Sequence, residues 1–447
     1  MLLRFVVENF LSFKEATELN TFTSSKSKAL MHHRVACDHT EVLRLNAIYG
    51  ANGAGKSNFV KALNFLQLWM QRGTLEKSPI PYPFTFKLDK ESRQAHSAFA
   101  IEFFVNGTIY YYQIEFNPHE IFHEELLRSG KTKDHHVFTR EGNDIKWQAE
   151  DKSGKFSNVE FVDMVSRMLR KDMPMLAFMG RYYPEVNSDT AAAYSWFVTL
   201  LNVVEPASFP GALPHFLDKL PNFSNLAQTY IRATNSGITS LNVKKEEMVD
   251  DASRYDKKIK EGVEFAKNNP GIPYPLVSPA DHNLINIVFE EGKMMMKTLT
   301  ITHTSKDGEQ VEFDYVEESD GTRRLIEYLP LFYGLMNPGH AVYVVDEIER
   351  SIHPVLMKKM LEILSKNKHI QGQLIFTTHE SNLLDLSLLR PDEIWITQKN
   401  VEQATEFYPL SDYKIHHTAN IQNGYLDGRY GGIPLVNKLD EMEEEAI

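Results

Sequence analysis

The sequence contains very little cysteine and no long apolar run. Cys37 is the one cysteine in 447 residues, which excludes an intrachain disulfide. No window approaches the roughly 20 consecutive apolar residues that a membrane-spanning helix needs. The first twenty residues also have no basic start followed by an apolar stretch, so they do not resemble a secretory signal. We therefore expect a cytoplasmic protein with no membrane partner.

Basic residues are also fewer than acidic ones. The chain has 48 Lys and Arg against 60 Asp and Glu, which gives a formal net charge of -12. Affinity for nucleic acid that does not depend on base sequence comes from Lys and Arg neutralising phosphates. A DNA contact is therefore possible only locally and is not favoured. We interpret the small basic cluster of Arg167, Arg170 and Lys171 as solvated surface.

The length and the pattern of apolar residues predict more than one structural unit. A chain of 447 residues exceeds an ordinary single core, and the strand-like runs of residues 1–150 predict one part of an α/β domain. Residues 98–116 alternate around Asn106-Gly107, which is typical of an antiparallel hairpin. Residues 276–447 contain further strand-like runs and predict the second part of the same domain.

Residues 151–275 differ in character from the segments on either side. Prolines interrupt helix-like stretches here, and strand-like runs are few. The last of these stretches has apolar residues at steps of three or four from Met248 to Ala266, followed by Pro270-Gly271. We predict a helical insertion, with a final helix of roughly 20 residues, or about 30 Å.

One segment carries the strongest chemical signal. Gly50-Ala51-Asn52-Gly53-Ala54-Gly55-Lys56-Ser57 fits the pattern of a phosphate-binding loop between a strand and a helix. Glycine lets backbone N–H groups approach phosphate oxygens, while the lysine charge reaches the β- and γ-phosphates and the serine hydroxyl ligates Mg²⁺. The predicted nucleotide-binding residues of this loop are Gly50, Asn52, Gly53, Gly55, Lys56 and Ser57.

A second apolar run, residues 341–345, ends in Asp346-Glu347. Two adjacent carboxylates at the end of a strand suit two roles, one holding the metal and the other activating water. We predict Asp346 as a Mg²⁺ ligand with Ser57, and Glu347 as the catalytic base.

Thr377-Thr378-His379 follows the next strand-like run. Its distance from Glu347 along the chain suits a parallel strand reached through one crossover helix. We predict that His379 contacts the γ-phosphate as a second catalytic residue. The alternative is a histidine that caps the start of the following helix.

A further helix start lies at residues 318–324, before an apolar-periodic helix at residues 325–335. Ser319 and Gly321 at a helix N-terminus offer a second contact for an anion. A plain N-cap by Ser or Asp explains the same residues equally well.

Taken together, the four motifs resemble the ABC-type ATPase heads of the SMC, RecF and OLD-like group, where they occur in this order. The resemblance implies an α/β fold, namely a P-loop ATPase head with a mixed sheet, an antiparallel β flank and here a helical insertion. It also implies ATP and Mg²⁺ as ligands, ATP hydrolysis, and a homo-oligomer in which Ser319 and Gly321 contact nucleotide in trans. The segment Ser319-Asp320-Gly321-Thr322 departs from the Ser-Gly-Gly of SMC proteins and transporters.

Four shorter segments are similar to the compact ATPases of bacterial anti-phage defence, and most of all to the ATPase component of PARIS. They are Asn9-Phe10-Leu11-Ser12-Phe13, residues 346–354, residues 390–395 and Arg429-Tyr430-Gly431-Gly432-Ile433-Pro434. This resemblance implies control of a separately encoded effector nuclease and a phage protein as trigger. Roughly 65 residues follow His379, too few for the Toprim nuclease domain of OLD proteins.

Two other functions stay open. A RecF-like or SMC-like DNA-repair protein would show DNA binding that depends on salt. A self-contained nuclease would need a further carboxylate cluster, which the sequence does not offer beyond Glu347.

Overall fold

The computed structural model describes residues 1–25, 27–76, 84–147, 158–208, 211–234, 236–248, 255–278, 282–337, 339–415 and 420–433. The strands are β1 Leu2–Glu8, β2 Thr17–Asn20, β3 Arg34–Cys37, β4 Thr40–Leu43, β5 Leu45–Tyr49, β6 Ser97–Val105, β7 Thr108–Phe116, β8 Ile121–Arg128, β9 His135–Glu141, β10 Asp144–Trp147, β11 Leu201–Val204, β12 Ile238–Glu247, β13 Tyr274–Val277, β14 Leu284–Glu290, β15 Lys293–Thr304, β16 Gln310–Asp314, β17 Val342–Val345, β18 Gln373–Thr378, β19 Ile394–Lys399 and β20 Thr405–Pro409. The α-helices are α1 Lys56–Arg72, α2 Asn158–Met168, α3 Met175–Tyr182, α4 Ser188–Ser195, α5 Leu213–Lys219, α6 Pro221–Ala233, α7 Lys257–Asn268, α8 Asp320–Glu327, α9 Leu329–Met336, α10 Pro354–Lys366 and α11 Ile421–Leu426.

The fold is α/β, as the sequence predicted, and the chain divides into two compact units. The first unit comprises Met1–Pro206, Asn337–Ile348 and Met360–Ile447. The second comprises Ala207–Met336 and Glu349–Lys359. Among the described residues, no helix combines the length and the apolar character that crossing a bilayer requires.

A six-stranded sheet in the order β11-β17-β18-β5-β19-β20 forms one layer of the first unit. Its first five strands are parallel, and only β20 runs antiparallel to its neighbour β19. Every residue of β5 and of β18 is buried, as expected for central strands that are covered on both faces. The predicted parallel arrangement of the strands before Asp346 and His379 is confirmed, with α10 as the crossover helix.

The predicted antiparallel flank is confirmed as a seven-stranded sheet in the order β10-β9-β8-β7-β6-β1-β2. Strands β6 and β7 form the predicted hairpin, in which Asn106 and Gly107 both have positive φ, at 50° and 81°. Such a turn matches the right-handed twist of its strands. Buried and half-buried residues alternate along β6, because one face of this sheet packs on the core and the other faces solvent.

Helix α1 joins the six-stranded sheet and the seven-stranded sheet into one core. Its buried apolar residues belong to a cluster that also contains Phe5 of the flank and Ile48 of the parallel sheet. The Phe65 ring lies 5.2 Å from the Phe10 ring and 5.3 Å from the Phe84 ring. These aromatic contacts fix the position of α1. The end of the loop that leads into the helix is therefore fixed as well.

The second unit is built on a smaller antiparallel sheet, β12-β15-β14-β13, with β16 also paired to β15. One apolar cluster combines Leu213, Phe223 and Leu299 of its helices and strands. Lys297 is fully buried on β15, where its Nζ donates to Asp218 at 2.7 Å and to Glu290 at 2.9 Å. A buried ammonium needs such partners because its charge has left water.

The prediction that residues 151–275 are a helical insertion is wrong for two segments. Strand β11 lies in the central sheet of the first unit, parallel to β17, and β12 is a ten-residue strand of the second unit. Each owes its extended form to a distant partner, β17 and β15 respectively. Pairing with a remote strand decides such segments, and local periodicity does not reveal it.

The last helix of this region is also shorter than predicted. Helix α7 begins at Lys257, where the Asp256 side chain accepts hydrogen bonds from the backbone N–H groups of Lys258 and Ile259. The backbone N–H of Met248 donates instead to Met294 O at 2.8 Å, next to strand β12. Ala252, which the predicted apolar stripe includes, lies outside the described residues. A local cap therefore sets the start of α7.

A buried carboxylate links the flank sheet to helix α3. Glu124 of β8 is fully buried and accepts hydrogen bonds from the backbone N–H groups of Met175 at 2.7 Å and Leu176 at 3.0 Å. The hydroxyl of Tyr112 donates to it at 3.0 Å, and the Arg140 guanidinium lies 3.6 Å away. Burial raises the pKa of Glu124, whereas the charge of Arg140 opposes that shift.

We predict that Glu124→Ala lowers the free energy of unfolding by about 3–5 kcal/mol, because it leaves the buried Arg140 guanidinium without its counter-charge and two helix amides without their acceptor. Urea denaturation measures the change. Glu125→Ala is the matched control on the same strand, where the half-buried Glu125 contacts His136 at 3.0 Å; we expect it to cost about 1 kcal/mol or less. Equal destabilisation by both changes would contradict this role of Glu124.

Candidate functional site

The glycine-rich loop leaves the central strand β5 and ends at the first residue of α1. Gly55 has φ of 115°, and a Cβ placed there would lie 2.1 Å from the Thr405 hydroxyl oxygen. No other residue fits this position. No side chain caps the start of α1. A helix N-terminus that follows a glycine-rich loop is the usual arrangement of an anion site.

The lysine of the loop is buried against the backbone. Lys56 is 4% exposed, and its Nζ donates to Gly50 O at 2.7 Å and to Ala51 O at 3.2 Å. The same Nζ lies 3.3 Å from Nδ1 of His379. The ammonium is therefore held at the mouth of the loop, next to the predicted γ-phosphate residue.

The two predicted carboxylates follow β17 directly. Asp346 is almost fully buried, and its backbone N–H donates to Val204 O of β11 at 2.9 Å. Glu347 has φ of 51°, a left-handed conformation that is uncommon for a residue with a side chain. Such local strain persists only where the surrounding structure enforces it.

Thr377 of the neighbouring strand β18 supplies that constraint. Its hydroxyl donates to Asp346 Oδ1 at 2.5 Å and accepts from the backbone N–H of Glu347 at 2.8 Å. Its carbonyl oxygen accepts from the N–H of Ile348 at 3.1 Å. One buried threonine thus fixes the carboxylate of Asp346 and the backbone turn that carries Glu347.

His379 follows β18 and is exposed at the end of that strand. Partial desolvation of the ring lowers its pKa, and the charge of Lys56 lowers it further, while Glu347 and Asp346 oppose the shift. The lowered pKa favours the neutral form of the imidazole. A neutral ring beside an ammonium suits a residue that exchanges hydrogen bonds with a bound anion.

These four side chains meet because their strands are adjacent and parallel. Strand β18 lies between β17 and β5, and the three carboxyl ends form one edge of the sheet. Ligands of open α/β sheets bind at this edge. The structure brings Lys56, Asp346, Glu347 and His379 together there, as the motifs predicted.

Residues outside the motifs stabilise the glycine-rich loop by hydrogen bonds from the neighbouring strands β19 and β20. The hydroxyls of Thr405 and Thr397 donate to Ala54 O at 2.9 Å and 3.3 Å. Thr405 also contacts the Ser12 hydroxyl at 2.8 Å, and the Asn58 side chain donates to the same hydroxyl at 2.8 Å. The sequence has a motif around Ser12 but no signal for either threonine, because each lies in a strand with no motif beside it.

Ser319 and Gly321 belong to the second unit, where they form a helix start. The Ser319 hydroxyl accepts from the N–H of Thr322 at 3.2 Å, so it is an N-cap of α8. A Cβ at Gly321 would lie 2.7 Å from Ser351 O, which explains the glycine by close packing. The single helix predicted for residues 325–335 is divided between α8 and α9. A nucleotide contact by these residues stays a prediction.

The arrangement fits Mg²⁺ and a nucleotide phosphate. Ser57 and Asp346 offer only oxygen donors, which Mg²⁺ prefers, and this ion keeps several water or phosphate ligands. Within the described ranges, no cluster of three or more His, Cys, Asp or Glu side chains forms a self-contained metal site. Asn52 is exposed in the loop.

A family model described as "AAA domain, putative AbiEii toxin, Type IV TA system" matches residues 45–152 and 206–385. The chain belongs to this family. The two matched segments contain the glycine-rich loop, both carboxylates and His379. The chain is thus an AAA-type ATPase, and members of this superfamily use ATP with Mg²⁺. The family model does not match residues 153–205.

Solved structures of SMC heads are similar at a coarse level. The SMC head domain from Thermotoga maritima is 14% identical, with a TM-score of 0.38, and the match covers 91% of this chain and 98% of that one. An SMC head bound to the C-terminal winged-helix domain of ScpA is 12% identical, with a TM-score of 0.42 and coverage of 91% and 96%. A Pyrococcus furiosus SMC head with an extended coiled coil, bound to the C-terminal domain of ScpA, is 13% identical, with a TM-score of 0.38 and coverage of 92% and 97%. No curated protein matches the chain.

We predict that Thr377→Val lowers ATP turnover by about ten- to a hundredfold, because valine keeps the shape but releases Asp346 and Glu347. Thr377→Ser keeps the hydroxyl and should retain most of the activity. Steady-state rates across a Mg²⁺ titration measure the effect, which should include a raised Mg²⁺ requirement.

Thr21→Val is the matched control for that change. Thr21 is also fully buried in the first unit, and its hydroxyl donates to Leu2 O at 2.7 Å. We expect a similar loss of stability with normal turnover. If Thr377→Val turns over ATP as fast as this control, the threonine does not position the carboxylates.

Proposed function

We propose that the chain binds and hydrolyses ATP at the edge formed by β5, β18 and β17, and that this cycle controls a separately encoded effector nuclease in anti-phage defence. The observation that carries the proposal is the convergence of Lys56, Asp346, Glu347 and His379 on one glycine-rich loop. A structural salt cluster would not need a helix N-terminus and a glycine cradle at the same place.

Each side chain has a role in the proposed reaction. Lys56 offers its charge to the β- and γ-phosphates through the donors that it now directs at loop carbonyls. Ser57 and Asp346 would hold Mg²⁺, which neutralises phosphate charge. Glu347 orients and deprotonates the attacking water, and His379 contacts the γ-phosphate. Catalysis of this kind depends on position and electrostatics, which is why the Thr377 contacts matter.

We predict that Glu347→Gln retains ATP binding and lowers turnover by about a hundredfold or more, the usual contribution of a positioned general base. Lys56→Ala is the contrasting variant and should abolish binding, since backbone N–H groups cannot replace a full charge. Calorimetric titration and phosphate release separate the two effects. Wild-type turnover in Glu347→Gln would assign the base to another residue.

The same Glu347→Gln variant tests the proposed assembly. If Ser319 and Gly321 contact the nucleotide of a second head, ATP should trap a dimer or a larger symmetric oligomer of this variant. Light scattering with saturating Mg-ATP measures its mass. A monomer at micromolar concentration would leave Ser319 with the N-cap role alone.

Two observations support a defence role over a role on DNA. The description of the family includes a putative toxin of a toxin–antitoxin system, and such systems have two components. The predicted basic cluster is neutralised by carboxylates: Arg167 pairs with Asp163 at 2.8 Å, Arg170 with Glu76 at 2.7 Å and Lys171 with Glu120 at 3.5 Å. Paired cations offer little to a phosphate backbone. A PARIS-like ATPase, with a phage protein as trigger, is the form of defence that we propose.

We predict that the purified chain hydrolyses ATP but cuts neither DNA nor RNA, and that nuclease activity appears only with a second protein. Plasmid, linear DNA and tRNA with Mg²⁺ or Mn²⁺ are the substrates, with Glu347→Gln as control. Cleavage by the isolated chain would establish a self-contained nuclease. Tight DNA binding that weakens steeply with salt, without cleavage, would favour the RecF-like alternative.

A further inference from the structure

One sequence motif has no part in the proposed reaction, although the structure places it beside the glycine-rich loop. This is the segment around Arg429-Tyr430-Gly431-Gly432, whose Pro434 lies outside the described residues. Residues 420–433, which include α11, form what we call the strap. The strap belongs to the first unit, so its contacts with the loop lie within one compact body.

The strap crosses the start of the loop at Gly432. A Cβ placed at Gly432 would lie 3.6 Å from the Gly50 Cα, 3.3 Å from Thr397 O and 2.6 Å from a methyl carbon of Ile396. Gly432 also has φ of 68°, which a residue with a side chain rarely adopts. Close approach and backbone conformation therefore both require glycine here.

Tyrosine hydroxyl groups hold the strap in this position. The Tyr425 hydroxyl donates to Gly432 O at 2.9 Å, and the Tyr425 ring lies 6.0 Å from the ring of Tyr49, the residue before the loop. The Tyr408 hydroxyl of β20 donates to Tyr430 O at 2.8 Å. Each of these bonds is made by a tyrosine, whose stiff ring limits the movement of its partner.

The other end of the strap contacts the segment after His379. The Gln422 amide of α11 donates to Asn382 Oδ1 at 3.0 Å and lies 3.4 Å from the Ser381 hydroxyl. The strap thus touches the first glycine of the loop at one end and the segment that follows the histidine at the other. Lys56 links the same two places through its contacts with Gly50 and His379.

We infer that the strap is a positioning element of the nucleotide site: it braces Gly50 against β19 and fixes the loop relative to His379. This inference rests on the proposed function for its effect on ATP, but the brace itself is a contact that can be tested without nucleotide. Displacement of the strap should leave the sheet intact and let the loop amides fluctuate. Phosphate binding depends on the preset direction of those amides.

The first test compares Gly432→Ala with Gly142→Ala. Gly142 lies in the first unit with φ of 58°, and a Cβ there meets no atom within 4 Å. Both variants carry the cost of a left-handed alanine, but only Gly432→Ala displaces the strap. We expect Gly432→Ala to raise the Kd and the KM for ATP by about tenfold or more, with a smaller change in kcat, since small displacements of binding groups have large effects. Gly142→Ala should change neither constant, and its melting temperature should fall less than that of Gly432→Ala, whose Cβ also meets a methyl carbon of Ile396.

The second test uses Tyr425→Phe, which removes the hydrogen bond to Gly432 O and keeps the ring. It covers the case in which Gly432→Ala fails to fold. Hydrogen exchange of the amides of residues 50–54, measured without nucleotide, should be faster in Tyr425→Phe and in Gly432→Ala than in the wild type and in Gly142→Ala. The KM for ATP in Tyr425→Phe should rise by about threefold or more, consistent with the loss of one hydrogen bond.

The outcomes separate the brace from the proposed function. Unchanged exchange at residues 50–54, or wild-type Kd and KM in Gly432→Ala, would overturn the inference. If the wild type neither binds nor hydrolyses ATP, the proposed function fails, while faster exchange in the variants would still establish the brace. Faster exchange together with weaker ATP binding would support both.

Discussion

The parallel hydrogen bonding of β5, β18 and β17 is the constraint on which the site depends. Each strand contributes its chemistry only at its carboxyl end: the glycine-rich loop after β5, His379 after β18 and the two carboxylates after β17. The register pairs Thr378 with Tyr49 and Phe376 with Val345. Because a slip of one residue would turn every side chain to the other face, this register decides both the core and the geometry of the site.

Buried threonines on the strands of this sheet hold the site residues in place by hydrogen bonds. Thr377 joins the histidine strand to the carboxylate turn, while Thr397 and Thr405 join the last two strands to Ala54 O. A threonine suits a strand because it is β-branched, and its hydroxyl can donate and accept at once. The sheet therefore supplies its own cross-strand links without burying further charge, which would cost more free energy.

The sequence predicted the elements whose signal is local. The loop pattern, the Asn106-Gly107 hairpin and the strand before Asp346 each carry their information within a few residues. Strands β11 and β12 were missed because each takes its form from a strand far along the chain, β17 for one and β15 for the other. Thr377 stood beside a predicted residue, yet its role required knowing that β18 lies next to β17. At Ser319 the local signal was present but ambiguous, because the same hydroxyl suits an N-cap and an anion contact. In the structure this hydroxyl caps α8.

Strand β11 shows that the segments matched by the family model do not by themselves complete the central sheet. The family model passes over residues 153–205, yet residues 201–204 of that stretch form the edge strand beside β17, and Val204 O receives the N–H of Asp346 at 2.9 Å. A chimera that joined residue 152 directly to residue 206 would keep every motif. It would lack β11, however, and β17 would become an unpaired edge strand. Such an edge invites pairing with another chain. Residues 201–204 thus cover the edge of β17, although they lie outside the segments that the family model matches.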